Sequence, residues 1–229
     1  VEATTPDEPL AGGREGAVDA EAELRSAIAE WRQHMPAVST LAEPIDATRD
    51  HFIGDPAAPL AIVEYGDYQC SECARAHRLR EAANDWLSDG RLCFVFRHFP
   101  LIDAHPLALR AAQALEAAAA EGRFTEMHDV LMQFDAVTDD TGVEHVVLEA
   151  RLGEDDLVQS ARDLGLDLDR FRATMNDPAT VGHIMRDFHS GRHSGVNGTP
   201  TFFLRGERQD VIGPEEMLER LRGAIDQGG

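Results

Sequence analysis

The chain has 229 residues, 43% of them apolar, enough for one sizeable core with an insertion or an extension. Its formal net charge is −21, from 42 acidic and 21 basic residues, and every basic residue is arginine. Such a surface disfavours nucleic acid and anionic membranes as partners and fits a salt-rich habitat, and no apolar run approaches the ~18 residues of a membrane-spanning helix.

Residues 1–17 hold little to bury and read as a disordered lead. They lack the basic, apolar and small-residue regions of a signal peptide, which leans the expectation toward the cytoplasm. Val1 is not an initiator methionine, so an extracytoplasmic location is open if a segment was removed. A helix is expected over 18–35, with Leu24, Ile28, Trp31 and Met35 on one face and Pro36 stopping it. Together with an irregular linker it fills 18–58. Residues 60–66 read as a buried strand, 70–87 as a helix, Asp89-Gly90 as a turn and 92–99 as a second strand. Strand, helix and strand imply a right-handed crossover between parallel strands, whose apolar runs expect helices on both faces.

From 105 to 194 only helical signals are evident, over 107–120, 124–134, 143–152, 155–164, 168–175 and 178–189. A strand over 201–204 and a turn follow, with 210–213 completing a hairpin. Pro214 opens a last helix that buries Met217, Leu218, Leu221 and Ile225.

The chemistry gathers in Ala61-Ile-Val-Glu-Tyr-Gly-Asp-Tyr-Gln-Cys70-Ser-Glu-Cys73. Two cysteines two residues apart are half of a metal site or a redox pair. Placed at a helix N-terminus, Cys70 meets unpaired N–H groups and the positive end of the helix dipole, which favour thiolate. Cys73, one turn further in, is placed to attack a mixed disulfide at Cys70. With His77 the pair offers only three of the four ligands of a closed zinc site, so a metal-binding module is the lesser reading, and no metal site is expected. His189 and His193 share a helix-face spacing but read as a solvated helix end, and His98 and His105 as structural histidines. Glu64, in an otherwise apolar strand, is expected to have a raised pKa and to accept the proton of Cys73. Ser71 can offer a hydroxyl and an N–H to the Cys70 thiolate, while Glu72 adds a charge that raises the thiol pKa. Cys93 reads as a buried free cysteine.

Downstream, Gly195-Val-Asn-Gly-Thr-Pro200 opens the strand Thr-Phe-Phe-Leu. A CxxC after a strand, an acidic residue six positions before it and a distant Gly-Thr-Pro resemble the thioredoxin fold. Phe94-Val-Phe-Arg-His-Phe-Pro100, His105-Pro106, Phe124-Thr-Glu-Met-His128 and Leu164-Gly-Leu-Asp-Leu-Asp narrow the resemblance to the DsbA-like thiol oxidoreductases, over residues 49–221. The lead-in Leu41-Ala-Glu-Pro-Ile-Asp-Ala-Thr-Arg-Asp-His51 is similar to DsbA-like domains joined to bacterial sodium–proton antiporters.

The resemblance implies an α/β thioredoxin-like fold, a central mixed sheet with flanking helices, split between 59–103 and 195–229. An all-helical domain over 104–194 is inserted into it. It implies a dithiol–disulfide oxidoreductase, oxidase or reductase, in which Cys70 faces the substrate. Pro200 then faces the cysteines and leaves the Thr199 backbone free to pair with an extended substrate segment. No organic cofactor is needed, since the cysteine pair is the redox group. The partners are protein thiol or disulfide substrates and a redox protein that resets the pair. The antiporter-like lead-in suggests a second role, a redox-sensing or interaction domain of a membrane transport system with little turnover.

Overall fold

The computed structural model describes residues 12–33, 38–133, 135–138, 144–147, 152–210 and 213–227. Helix α1 spans Gly12–Gln33, so it starts within the stretch expected to be a disordered lead. Met35 and Pro36 lie outside the described residues. Leu24, Ile28 and Trp31 are buried on one α1 face, as their spacing requires.

The linker contains a strand that sequence patterning missed, β1 at His51–Gly54. Four residues are too few to show a two-residue period. Strand β2 is Leu60–Gly66, followed by α2 (Ser71–Ala82), the short α3 (Asn84–Ser88) and β3 (Leu92–His98). The expected single helix over 70–87 is thus two, parted at Ala83. Helices α4 (Ala108–Ala119) and α5 (Phe124–Met132) come next.

Residues 105–194 are not wholly helical. Strands β4 (Asp135–Thr138) and β5 (Glu144–Val147) pair antiparallel, β5 within the stretch expected as a helix over 143–152, of which 143 and 148–151 lie outside the described residues. The run Val-Glu-His-Val-Val is rich in β-branched valine, and Asp-Asp-Thr-Gly before it has turn chemistry. Helices α6 (Glu154–Asp163), α7 (Leu168–Met175) and α8 (Pro178–His193) complete this region. Asp167 and Asp177 cap the last two through their side chains. The chain ends with β6 (Thr201–Leu204), β7 (Glu207–Gln209) and α9 (Pro214–Asp226). The hairpin therefore closes at 207–209, three residues earlier than expected.

The main sheet has the order β1-β3-β2-β6-β7. Strands β2 and β3 are parallel, and the other pairs are antiparallel. Alternation sorts its side chains into two cores. Leu60, Ile62, Phe94, Phe96 and Phe202 face α2, α9 and the helices α4–α7. Val63, Tyr65, Val95 and Phe203 face α1 and α8. Glu64 pairs with Phe96 and Phe202, which places it on the α2 side.

Arg97 and Asp50 form a fully buried, bidentate pair, with Nε–Oδ1 and Nη2–Oδ2 both 2.9 Å. Arg97 also donates to the carbonyls of Glu43 and Pro44 and to the Tyr65 hydroxyl. One guanidinium thereby fastens the lead-in segment onto β3.

Candidate active site

Strand β2 ends where the backbone must pass close to Phe96. A Cβ on Gly66 would lie 2.5 Å from that ring and 3.0 Å from the Glu64 carboxylate, so only glycine fits without displacement. Beyond it, Asp67 organises the turn. Its side chain accepts from the N–H of Gln69 and of Leu101 and from His105 Nδ1, at 2.8, 2.9 and 2.8 Å. The turns after β2 and β3 are thus pinned together. The Asp67 N–H donates to Cys73 Sγ at 3.4 Å. Sequence reasoning passed over Asp67, although it stands between the strand and the cysteines in the same motif. It treated His105 as structural, and the ring does serve to hold Asp67.

Cys70 is the N-cap of α2 and Cys73 lies in its first turn. Both are free thiols, and Cys73 is fully buried. The Cys70 thiol donates to the Thr199 carbonyl at 3.3 Å, and the Thr199–Pro200 bond is cis. Cys70, Cys73, Thr199 and Pro200 therefore meet in one place from segments about 130 positions apart in sequence.

Electrostatics separates the two sulfurs. A hydrogen bond from Cys73 lowers the Cys70 pKa to about 6, against burial, with help from the Thr199 side chain and the Cys73 N–H. Burial, and then the proton it gives to Cys70, pushes Cys73 well up. Of the two sulfurs, Cys70 is consequently the one more readily ionised. Burial raises the Glu64 carboxyl to about 8, reinforced by Cys70. Its Oε1 is buried without a partner. A neutral carboxylic acid beside a thiol pair is a proton donor and acceptor near neutral pH.

Of the two central residues, Glu72 turns to Arg75 at 2.6 Å and is largely exposed. Among carboxylates it is Asp67 that leads in raising Cys70. The N–H that reaches the Cys70 sulfur belongs to Cys73 rather than Ser71. Beside the pair runs a groove of about 610 Å³, bordered by Glu72, Arg75, Asn197, Pro200, Arg208 and Asp210.

The ligand set of the lesser, metal-binding reading does not assemble among the described residues. His77 lies 3.6 Å from Asp129, and Cys70, Cys73 and His77 form no three-ligand group among the described residues. His189 and His193 likewise gather no third ligand there. Cys93 is buried in β3, with its pKa pushed up to about 11 by burial and by Asp55. His98 is held by Glu116 at 2.7 Å.

Sheet order, crossover and interposed helices define a thioredoxin-type fold of the DsbA-like kind, with a CxxC at the head of its first crossover helix. A thioredoxin family model matches residues 46–227, and the chain belongs to that family. Solved structures agree in fold. A thioredoxin-like oxidoreductase from Silicibacter pomeroyi superposes with a TM-score of 0.62 at 24% identity, over 79% of this chain and 94% of that one. BdbD from Bacillus subtilis gives 0.64 at 18% identity, over 82% and 99%. Alpha-DsbA1 from Wolbachia pipientis gives 0.59 at 20% identity, over 82% and 93%. In sequence, the chain is 40% identical over 183 residues to the Na(+)/H(+) antiporter NhaA 3 of Salinispora tropica, covering 80% of this chain and 25% of that protein. It is 38% identical over 195 residues to NhaA 1 of a Mycobacterium species, covering 84% and 29%. The chain thus spans about a quarter of the curated relatives it matches. Among the described residues no helix is long and apolar enough to cross a membrane.

Proposed function

We propose that the protein is a dithiol–disulfide oxidoreductase that exchanges disulfides with protein cysteines through Cys70 and Cys73. The observation that carries this reading is the split between the sulfurs, an acidic Cys70 at a helix mouth and a strongly protonated Cys73 behind it. In the oxidising direction a substrate thiolate attacks Cys70 of the closed disulfide. The Cys70–Cys73 bond breaks, a substrate–Cys70 disulfide forms, and Cys73 leaves as a thiolate that takes a proton from Glu64. A second substrate thiolate then attacks the substrate sulfur and expels Cys70 as a thiolate. Two electrons pass from the substrate dithiol to the pair, and its low pKa makes Cys70 a good leaving group. The reducing direction runs these steps backwards, with Glu64 taking the proton of Cys73.

The Thr199 backbone opposite Cys70 is placed to pair with an extended substrate segment, by the β-augmentation available at a free backbone edge. A redox protein that resets the pair completes the cycle. The test is turnover of a reduced, unfolded protein substrate and of a disulfide-bonded one. The wild-type chain turns over at least one of them, and Cys70→Ser neither. Failure of the wild-type on both would remove this function.

A second reading, a sensing or docking domain in a membrane transport system, is supported by the antiporter names of the relatives. It separates cleanly from the first, because docking survives Cys70→Ser whereas exchange does not.

A further inference from the structure

At the β1 edge of the sheet, three histidines converge on one carboxylate. Glu116 of α4 takes His51 Nε2 at 2.6 Å and His98 Nε2 at 2.7 Å on Oε1, and His183 Nδ1 at 2.8 Å on Oε2. These groups come from β1, β3, α4 and α8, so no sequence spacing announces them. The ligand atoms of His51, Glu116 and His183 lie within 4.8 Å of one another, the one such group of three among the described residues.

We propose that His51, His183 and Glu116 bind one divalent transition-metal ion, of which zinc is the chemical type. Two imidazoles and a carboxylate are a donor set for borderline divalent ions, with water completing the coordination. Tetrahedral Zn–N and Zn–O bonds hold neighbouring donors about 3.3 Å apart. Each of the two imidazoles thus needs to part from Glu116 by only about 0.5–0.7 Å, from its present 2.6 or 2.8 Å, to admit the ion.

The surrounding residues fit the same ligand. Asp187 is 1% exposed, and its Oδ1 has no hydrogen-bond partner. It lies 3.9 Å from His183 Nε2, which is also buried and unpartnered. When Nδ1 of His183 binds a metal, its proton resides on Nε2 and faces that oxygen. A closure of about 1 Å from the present 3.9 Å would complete the carboxylate–histidine–metal relay that orients metal ligands. Nor is this carboxylate loose, since its Oδ2 accepts the N–H of His98 at 3.0 Å. His98 in turn holds Glu116, and the His51 ring stacks on Phe124 at 4.6 Å. Neither Glu116 nor Asp187 forms an ion pair with an arginine among the described residues, and each faces histidines only. A surface cavity of about 330 Å³, bordered by Thr48, Arg49, His183 and Arg186, gives solvent access. The ion would brace the sheet edge against α4 and α8, away from the exchange site.

The test uses the full chain carrying Cys70→Ser and Cys73→Ser, so that the CxxC cannot bind the metal and the one remaining thiol, Cys93, is buried. Equilibrium dialysis against zinc with metal analysis should find one ion per chain and a higher melting temperature on binding. Adding His183→Gln should weaken binding at least 100-fold, and Asp187→Asn 10- to 100-fold. If His183→Gln fails to fold, cobalt(II) substitution in the doubly substituted chain, whose remaining Cys93 is buried in β3, decides. Visible d–d bands of a nitrogen- and oxygen-ligated ion support the site, and their absence overturns it. No stoichiometric zinc on the folded chain, or binding unchanged by His183→Gln, also overturns it.

Discussion

At the scale of single residues, the site works by placing ionisable groups where burial and hydrogen bonds pull their pKa values apart. Cys70 is held at about 6. Its alkylation by iodoacetamide should therefore rise with pH to a plateau, half-maximal near 6 rather than at the ~8.5 of a free thiol. A midpoint above 8 would show that Cys73 and Thr199 do not stabilise the thiolate. Glu64 works in the opposite sense. Its folded pKa is raised to about 8, whereas the unfolded chain ionises it near 4.3. The folded state binds the extra proton between these values. Its contribution is thus intact below about pH 4 and is lost as pH climbs to 8. Glu64→Gln removes that loss and should stabilise the protein at pH 7, on the order of 3–4 kcal/mol. It should also slow exchange by 10-fold or more at the step where Cys73 gains or gives up its proton. Chemical denaturation at pH 5 and pH 7 measures the first effect, and single-turnover exchange the second. A variant less stable at pH 7 and unchanged in rate would remove Glu64 from the mechanism.

At the scale of elements, the active-site loop is supported from a distance. Trp31 of α1 donates from Nε1 to the Val196 carbonyl at 2.7 Å and sets its ring edge-on to Phe99 at 5.6 Å. The N-terminal helix thus props the segment that leads into Thr199–Pro200. Trp31→Phe keeps most of the packing and loses the bond, so it should cost about 1 kcal/mol in urea denaturation. The Arg97–Asp50 pair is costlier to break. Burial opposes ionisation of Asp50, but the Arg97 bonds and the Asp46 N–H outweigh it and hold the pKa low. Its contribution is present above about pH 4 and is lost as pH falls through the lowered folded value. Asp50→Ala strands the guanidinium and should cost about 3–5 kcal/mol. A loss below 1 kcal/mol would mean that the lead-in segment is not anchored there. Much of this scale was legible beforehand. Strands 60–66 and 201–204 and helix 168–175 coincide with their expected bounds because their apolar periods run uninterrupted. Strand β1 and the β4–β5 hairpin were not, since strands of four residues gain their identity from a partner rather than from a pattern.

For the molecule as a whole, charge and topology dominate. A net charge of −21 without a single lysine makes the folded chain repel itself. Raising salt from about 0.1 to 1 M shortens the screening length from roughly 10 to 3 Å. The melting temperature should therefore rise with sodium chloride, and a fall would show that specific ion pairs outweigh the diffuse repulsion. Topology explains the division of what could be read in advance. Cys70, Cys73 and Glu64 share one strand–helix unit, and Thr199–Pro200 carries its own turn signature, so the candidate site was legible in advance. The cluster around Glu116 and the role of Asp67 depend on contacts between elements distant in sequence, which spacing cannot encode. The decisive measurement is a titration of the Cys70–Cys73 pair against glutathione buffers. A Cys70 pKa of about 6 lies between those of thioredoxin (≈ 7) and DsbA (≈ 3.5). A reversible two-electron couple between about −270 and −120 mV is therefore expected. No reversible couple, or one below about −300 mV as in a structural disulfide, would contradict a role in disulfide exchange.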